Sequence, residues 1–380
     1  MYRGYVVRLL PTKEQEEKIK RHAGAARFIW NYMLEMQNEN YKNGGKYIDG
    51  YGMCKHITVM KQKDEYKWLY EVSNGMLQNV CLNLHAAFVG FFKKRNDYPQ
   101  RKRKDKIRHN GYQLPKQTGA VYFVDDEYVF IPKIGRVKYK TDEHVPIGRE
   151  AKLWNPAINY KNRKWRFSFS MPCETQAVEL NDFSMGIDLG ATPFAAVAYE
   201  NETMVFNNIF KTEKAKNDYS RLRHLNKMSQ GKKRKNGHVS SKNHAEPKEK
   251  TDHLYFRIAA RQHDYIHKIT RRLVELKPKR IVLEDIDVVK LSQRGEVNGN
   301  HMLRQCWGMF RDTIKYKAEE YGIEVVIANG SFASSQICHN CGHVLPEMSN
   351  PNKKRFRCPN CGGNYQRDVN AAINLMNYTA

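Results

Sequence analysis

Four cysteines near the C-terminus constrain this chain more than any other feature. Cys338 and Cys341 form one C-x2-C pair, Cys358 and Cys361 a second, and sixteen residues separate the pairs. Two short knuckles at that spacing can supply four thiolates to one tetrahedral zinc ion. Seven residues past the last cysteine comes Asp368, in the segment Arg367-Asp368-Val369-Asn370-Ala371-Ala372, where Val369, Ala372, Ile373 and Met376 carry an apolar pattern. A metal module set directly before an acidic helix start predicts a carboxylate delivered beside a nucleic-acid clamp. The other reading of four cysteines is a disulfide pair in a secreted domain. Met1-Tyr2-Arg3-Gly4 runs into mixed sequence without an apolar leader, so reduced thiols are expected. His339 and His343 lie in the first knuckle and could substitute as ligands. Cys54, Cys81, Cys173 and Cys306 lack metal spacing and read as free thiols, some of them buried.

Charge points to the partner. Lys and Arg total 65 against 40 Asp and Glu, a net charge of +25 spread along 380 residues. That surplus predicts a polyanion, and nucleic acid ahead of a membrane surface. No run of about eighteen apolar residues stands out, so no membrane-spanning segment is expected. Aromatic content of 11% favours a folded protein over a basic disordered tail. The length suits two or three domains.

The pattern changes several times along the chain. Val6, Val7 and Leu9 read as a strand, and Thr12 with Gln15 as a capping box. Helical spacing of Ile19, Ala23, Ala26, Trp30 and Met33 follows, stopped by Asn43-Gly44-Gly45. A second amphipathic helix is expected from about 75 to 92, its aromatic residues serving as core. Residues 93–108 hold nine basic residues, and Lys93, Lys94, Arg95, Arg101, Lys102, Arg103 and Lys104 are candidate phosphate contacts. From 121 to 171 short strands dominate, and the N-terminal strand is expected to join their barrel or sheet. Residues 174–181 read as a linker. Residues 185–190 then open an α/β domain on a strand carrying Asp188. The stretch 211–250 is polar and basic, expected to be partly mobile, with Lys232, Lys233, Arg234 and Lys235 as further nucleic-acid candidates. A heptad-like helix, the strand Ile281-Val282-Leu283-Glu284, a helix from about 302 to 321 and a strand at 323–327 lead to the cysteine knuckles.

Asp188, Glu284 and Asp368 stand where apolar strands end or a helix begins. Each alone could be a turn or capping residue. Together they suit phosphodiester hydrolysis, where hard oxygen ligands hold two Mg²⁺ ions about 3.5–4 Å apart. Asp285 and Asp287 are neighbours of lower rank, expected to face elsewhere.

These residues carry a resemblance. Gly186-Ile187-Asp188-Leu189-Gly190, Val282-Leu283-Glu284-Asp285 and Arg367-Asp368-Val369-Asn370-Ala371-Ala372 resemble the three motifs of a RuvC-like nuclease with an RNase H-type fold. Ser334 to Gly342 is similar to the opening of the zinc module in the TnpB family. Leu10 to Gln15 and Ala26 to Asn31 resemble that family's N-terminal region. Ala191-Thr192-Pro193-Phe194 departs from the basic or small residues often found after the first motif. TnpB proteins are insertion-sequence-encoded, RNA-guided DNA endonucleases related to compact type V CRISPR effectors.

The resemblance implies an α/β multidomain fold. Residues 1–10 and 111–180 would form a wedge-like β-barrel, interrupted by a helical recognition lobe at 11–110. Residues 181–337 and 362–380 would form an RNase H-like RuvC nuclease domain, with 338–361 as the inserted zinc-binding module. Asp188, Glu284 and Asp368 become the magnesium-binding catalytic triad, and Cys338, Cys341, Cys358 and Cys361 the ligands of one structural zinc. The implied partners are a guide RNA from the transposon end and double-stranded target DNA cut next to a short flanking motif, with no membrane. The implied setting is the prokaryotic cytoplasm, on the nucleoid when DNA is bound. A guide-dependent regulator that does not cut, a DDE-type transposase and a CRISPR-associated effector are the alternatives.

Overall fold

The computed structural model describes residues 2–104, 110–115, 117–118, 120–141, 145, 147–148, 150–161, 164–172, 178–236, 242–285, 306–350 and 352–379; for 117–118, 229–236 and 242–246 only the backbone is described. The chain divides into two compact units, Met1–Cys173 and Glu174–Ala380.

In the first unit, alternation decides the position of the N-terminal strand. In β1 (Tyr2–Leu10), Val7 and Leu9 are buried while Val6 and Leu10 are exposed, the period of a half-covered strand. It lies between β8 (Lys164–Pro172), where Val7 faces Phe167, and β6 (Gly135–Lys140), where Leu9 faces Tyr139. The strands β2 (Gly111–Gln113), β3 (Gln117–Thr118), β4 (Tyr122–Phe123), β5 (Tyr128–Ile131) and β7 (Leu153–Lys161) complete an antiparallel sheet ordered β2-β7-β8-β1-β6-β5-β4, with β3 also on β7. Between β1 and β2 the described residues form three α-helices and a 3-10 helix at Asp64–Glu71. Thr12 and Gln15 exchange side-chain and backbone hydrogen bonds of 3.0 and 3.2 Å at the start of α1 (Lys13–Lys42), and Gly44 sits at φ +74° just past its end. Asp49 caps α2 (Gly50–Met60), which the sequence pattern does not announce, and Ser73 caps α3 (Asn74–Phe92). By length and composition α3 is apolar enough to cross a membrane, a property that core helices share. Its Met76, Leu77, Val80, Leu84 and Phe88 are instead buried in one core shared by the helices and the sheet.

The second unit is built on a mixed five-stranded sheet. The strands β9 (Asn181–Leu189), β10 (Ala195–Tyr199) and β11 (Glu202–Phe206) form an antiparallel meander. Two further strands, β12 (Pro278–Leu283) and β13 (Glu324–Ile327), add in parallel on the other side, giving β11-β10-β9-β12-β13. Parallel neighbours need long crossovers, and helices supply them here. Between β11 and β12 run α4 (Glu213–Asn236) and α5 (Lys242–Glu275), so the described part of the basic stretch is largely helical. Leu222 and Leu225 pack on Leu254 and Ile258, and Arg261 pairs with Asp218, contacts diluted in the sequence by the surrounding lysines. The helix α6 (Trp307–Tyr321) ends at Gly322 with φ +72°. After β13 come a small hairpin, β14 (Arg355–Arg357) with β15 (Asn364–Gln366), and the last helix, α7 (Arg367–Met376). The strand β9 already begins at Asn181, the last residue of the expected linker.

The seating of α7 on the sheet explains one glycine. A Cβ on Gly186 would fall 2.1 Å from the Ala372 carbonyl oxygen and 2.2 Å from the Met376 nitrogen, backbone atoms that cannot step aside. Ala196, Ala198 and Ala372, all buried, complete this close-packed seam. Gly186→Ala should therefore lower stability by roughly 3 kcal/mol, the range of an overpacked core. Gly4→Ala, whose added carbon meets nothing within 4 Å, should leave it unchanged. Denaturant unfolding of both variants checks this.

Candidate acidic site and cysteine module

The close seam brings three acidic residues together. Asp188 lies on β9, opposite Ala196 of β10, and Glu284 follows β12 directly, one residue beyond the Leu283–Ile187 pairing. The two carboxylates thus leave adjacent parallel strands at the same level. Asp368 is the second residue of α7 and is 2% exposed; Asp188 is 8% exposed. The positive end of the α7 dipole favours a carboxylate in that first turn. Burial first, and then the charges of Glu284 and Asp368, push the Asp188 carboxyl well above the usual carboxylate range, partly offset by Arg367 and Lys354. Burial also raises Glu284, against the pull of Arg367 and with a push from Asp285. Arg367 Nη1 lies 3.3 Å and Lys354 Nζ 3.5 Å from the Asp368 oxygens. Asp285 turns to Arg311, with 3.8 Å between charged atoms. Asp287 lies outside the described residues.

The four cysteines are gathered more tightly. Their sulfurs all lie within 4.8 Å of one another, and among the described residues they are the one such set of three or more potential metal ligands. The three carboxylates converge without reaching that spacing. Cys338 and Cys361 are 3.8 Å apart, Cys341 and Cys358 3.6 Å. A tetrahedron with metal–sulfur bonds of about 2.3 Å has edges of about 3.8 Å, so the donor set fits zinc. The two knuckles repeat one backbone design. Gly342 and Gly362 follow the second cysteine of each at φ +71° and +72°, and donate to the carbonyls of Cys338 and Cys358 at 2.8 and 2.9 Å. The backbone N–H of Gly363, the Tyr365 hydroxyl and Asn340 hold the Cys361 thiol down to about 5. His339 is not one of the gathered ligands; its ring meets Tyr365 edge-on.

Residues on α7 tie the module to the acidic cluster. Asn370 accepts from the His339 N–H at 2.9 Å and donates to the Ile337 carbonyl at 2.7 Å. Asn374 donates to the carbonyls of Ser334 and Ile337 at 2.7 and 2.6 Å. Arg367 donates to the Met348 carbonyl and to the Ser335 hydroxyl at 3.0 and 3.2 Å. Sequence reasoning missed these roles, although Arg367 and Asn370 sit in the segment that drew attention to Asp368.

The basic candidates are distributed differently. Lys93, Lys94, Arg95, Arg103 and Lys104 are exposed in the first unit. Arg101 pairs with Glu35 at 3.0 Å. Lys102 is set on the Trp30 ring, 3.7 Å from its centroid, with its backbone clasped by Asn31 at 2.8 and 2.9 Å. Burial draws its ammonium down to about 8. This segment is strapped to α1 by its own basic residues. Residues 105–109 and the side chains of Lys232, Lys233, Arg234 and Lys235 lie outside the described residues.

An α/β sheet with clustered acids and a four-cysteine module on its last helix defines a class, and comparison with known proteins narrows it. Three family models match in order: "Helix-turn-helix domain" at 1–46, "Probable transposase" at 168–295 and "Cas12f1-like, TNB domain" at 307–375. The first of these stretches is here β1 followed by the single long helix α1. "Putative RNA-guided DNA endonuclease InsQ" of Escherichia coli (strain K12) is 28% identical over 98% of this chain and 91% of its own length. "Putative RNA-guided DNA endonuclease" of Streptomyces pristinaespiralis is 26% identical over 98% and 88%. A Cas12f1 chain, solved by cryo-EM in a complex with sgRNA and target DNA, aligns over 99% of both chains at 17% identity and a TM-score of 0.38. "TnpB-like protein L79" of Acanthamoeba polyphaga mimivirus is 27% identical over 51% of this chain and 36% of its own length. The three matched models and these relatives support kinship with the TnpB family.

The buried carboxylates give a stability test. Asp188 holds its proton more tightly when folded, so its ionisation destabilises the fold as pH rises from about 4 through the raised pKa. Asp188→Asn should melt higher than the wild type at pH 8, by on the order of a few degrees. The difference should shrink toward pH 4. Thermal melts across that range check it.

Proposed function

We propose that this protein is an RNA-guided DNA endonuclease in which Asp188, Glu284 and Asp368 bind magnesium at the DNA backbone. The observation that carries the reading is the placement of these carboxylates at the adjacent ends of β9 and β12 and in the first turn of α7, near enough for Glu284 and Asp368 to act on Asp188. Both relatives aligned over nearly the whole chain bear the name RNA-guided DNA endonuclease, each with the qualifier putative. The mixed five-stranded sheet supports reading 181–337 and 362–380 as an RNase H-like RuvC domain with 338–361 as its zinc module. Residues 1–10 with 111–180 then act as the wedge and 11–110 as the recognition lobe. The protein works in the cytoplasm, on the nucleoid when DNA is bound. A guide RNA from the transposon end is held on the basic surface, base pairing reads the target, and the protein reads a short flanking motif.

The donor set is all hard carboxylate oxygen, the choice of Mg²⁺ over softer metals. Bound magnesium would supply a more acidic water and offset charge on the phosphate. Two ions about 3.5–4 Å apart, each about 2 Å from its ligands, do not require all three carboxylates within 4.8 Å. Asp188 and Glu284 offer oxygens from the rigid sheet, and Asp368 adds one from the helix start. Arg367 and Lys354 orient Asp368 and leave positive charge beside an incoming phosphodiester. The zinc module keeps Lys354 and α7 in place.

Purified protein should carry a discrete RNA and, with Mg²⁺, cut a DNA duplex that matches it. Asp188→Ala should slow cutting more than about 100-fold. Equal inertness of wild type and variant would leave the regulator reading standing. Metal analysis should find about one zinc per chain, lost in Cys361→Ser, as expected of a four-thiolate structural site.

A further inference from the structure

A small pocket opens beside Glu284, between the end of β12 and the first turn of α6, lined by Leu189, Leu283, Glu284, Trp307, Gly308 and Arg311. Its wall contains two buried donors without acceptors. Trp307 is 6% exposed, and its indole N–H has no hydrogen-bond partner. Arg311 Nε is likewise buried and, among the described residues, unpaired; Asp285 lies 3.8 Å from Nη1 and Asp312 4.0 Å from Nε, both beyond hydrogen-bond reach. Buried donors left this way destabilise a fold unless something accepts from them. The first-turn N–H groups of α6 also find no acceptor within their own helix. A Cβ built on Gly308 meets nothing within 4 Å, so this side of the pocket has space.

Apart from the Glu284 carboxylate at its edge these groups donate, so an occupant must present acceptor atoms to Trp307 and Arg311. Indole and guanidinium N–H groups can donate to the non-bridging oxygens of one phosphate, and Arg311 brings the charge that an anion beside Glu284 needs. We propose that this pocket, which has room for about one water-sized group, receives a non-bridging oxygen of a backbone phosphate of the DNA strand brought to the acidic cluster, with Trp307 and Arg311 fixing its position. The proposal rests on the nuclease reading and adds two residues that position the strand for it. A single water is the other acceptor that would fit.

Two measurements on the full-length protein with its co-purified RNA decide between them. In EDTA, where nothing is cut, binding of a fluorescein-labelled, non-complementary single-stranded DNA 12-mer is followed by anisotropy. Arg311→Gln and Trp307→Phe should each weaken it several-fold, and Arg311→Gln should lower the salt slope by about 0.7, the share of one phosphate contact on a single strand. With Mg²⁺, a single methylphosphonate is walked along each side of the cut in a matched target. One position should slow wild-type cutting about tenfold or more, and Arg311→Gln should lose that sensitivity. Variants that bind and cut like wild type, or an unchanged methylphosphonate profile, would overturn the seat and leave water as the occupant. If wild type does not cut at all, the nuclease reading fails, and the binding arm still decides the seat.

Discussion

The close contact between α7 and β9 is the constraint on which the second unit depends. It exists because Gly186 has no side chain and because Ala196, Ala198 and Ala372 have very small ones. Backbone meets backbone there, so the helix has one depth and one rotation. Asp368 then faces Asp188 in the same sense as Glu284 does from the neighbouring strand. The same rotation turns Asn370 and Asn374 toward the loop that opens the cysteine module. One helix of ten residues therefore answers both to the sheet and to the knuckles.

Its electrostatics run against the rest of the molecule. The chain carries +25, yet it buries two carboxylates and half-buries a third in one place. Such a cluster is unfavourable in isolation, and among the described residues Arg367 and Lys354 relieve it. Arg367 also grips Met348 and Ser335, so the cation that steadies the acids is itself steadied by the cysteine module. Strain of this kind is expected where a site is shaped for cations instead of for stability.

Much of this was legible in the sequence, for identifiable reasons. The cysteine spacing is a covalent consequence of knuckle geometry, and Asp188 was visible because an ionisable group interrupts an apolar strand. The helix α4 and the first part of α5 were obscured because Leu222, Leu225, Leu254 and Ile258 are thinned among lysines, whereas the rest of α5 is the heptad-like helix of the sequence pattern. The helix α2 was hidden because its first turn, Gly50-Tyr51-Gly52, reads as a turn. The ties made by Asn370 and Asn374 could not be read, since their partners are backbone carbonyls of a distant loop. Nor could the docking of Lys102 on Trp30, because composition cannot tell a lysine that meets a phosphate from one that covers an indole.

The central place of β1 in the first sheet has a consequence for synthesis. Its partners, β6 and β8, are translated long after it, with α1, α2 and α3 made in between. The nascent β1 must wait, without those partners on either edge, until the ribosome has delivered nearly the whole unit. Helices can form locally during that delay, whereas the sheet closes only at the end, which makes its assembly a late and slow event.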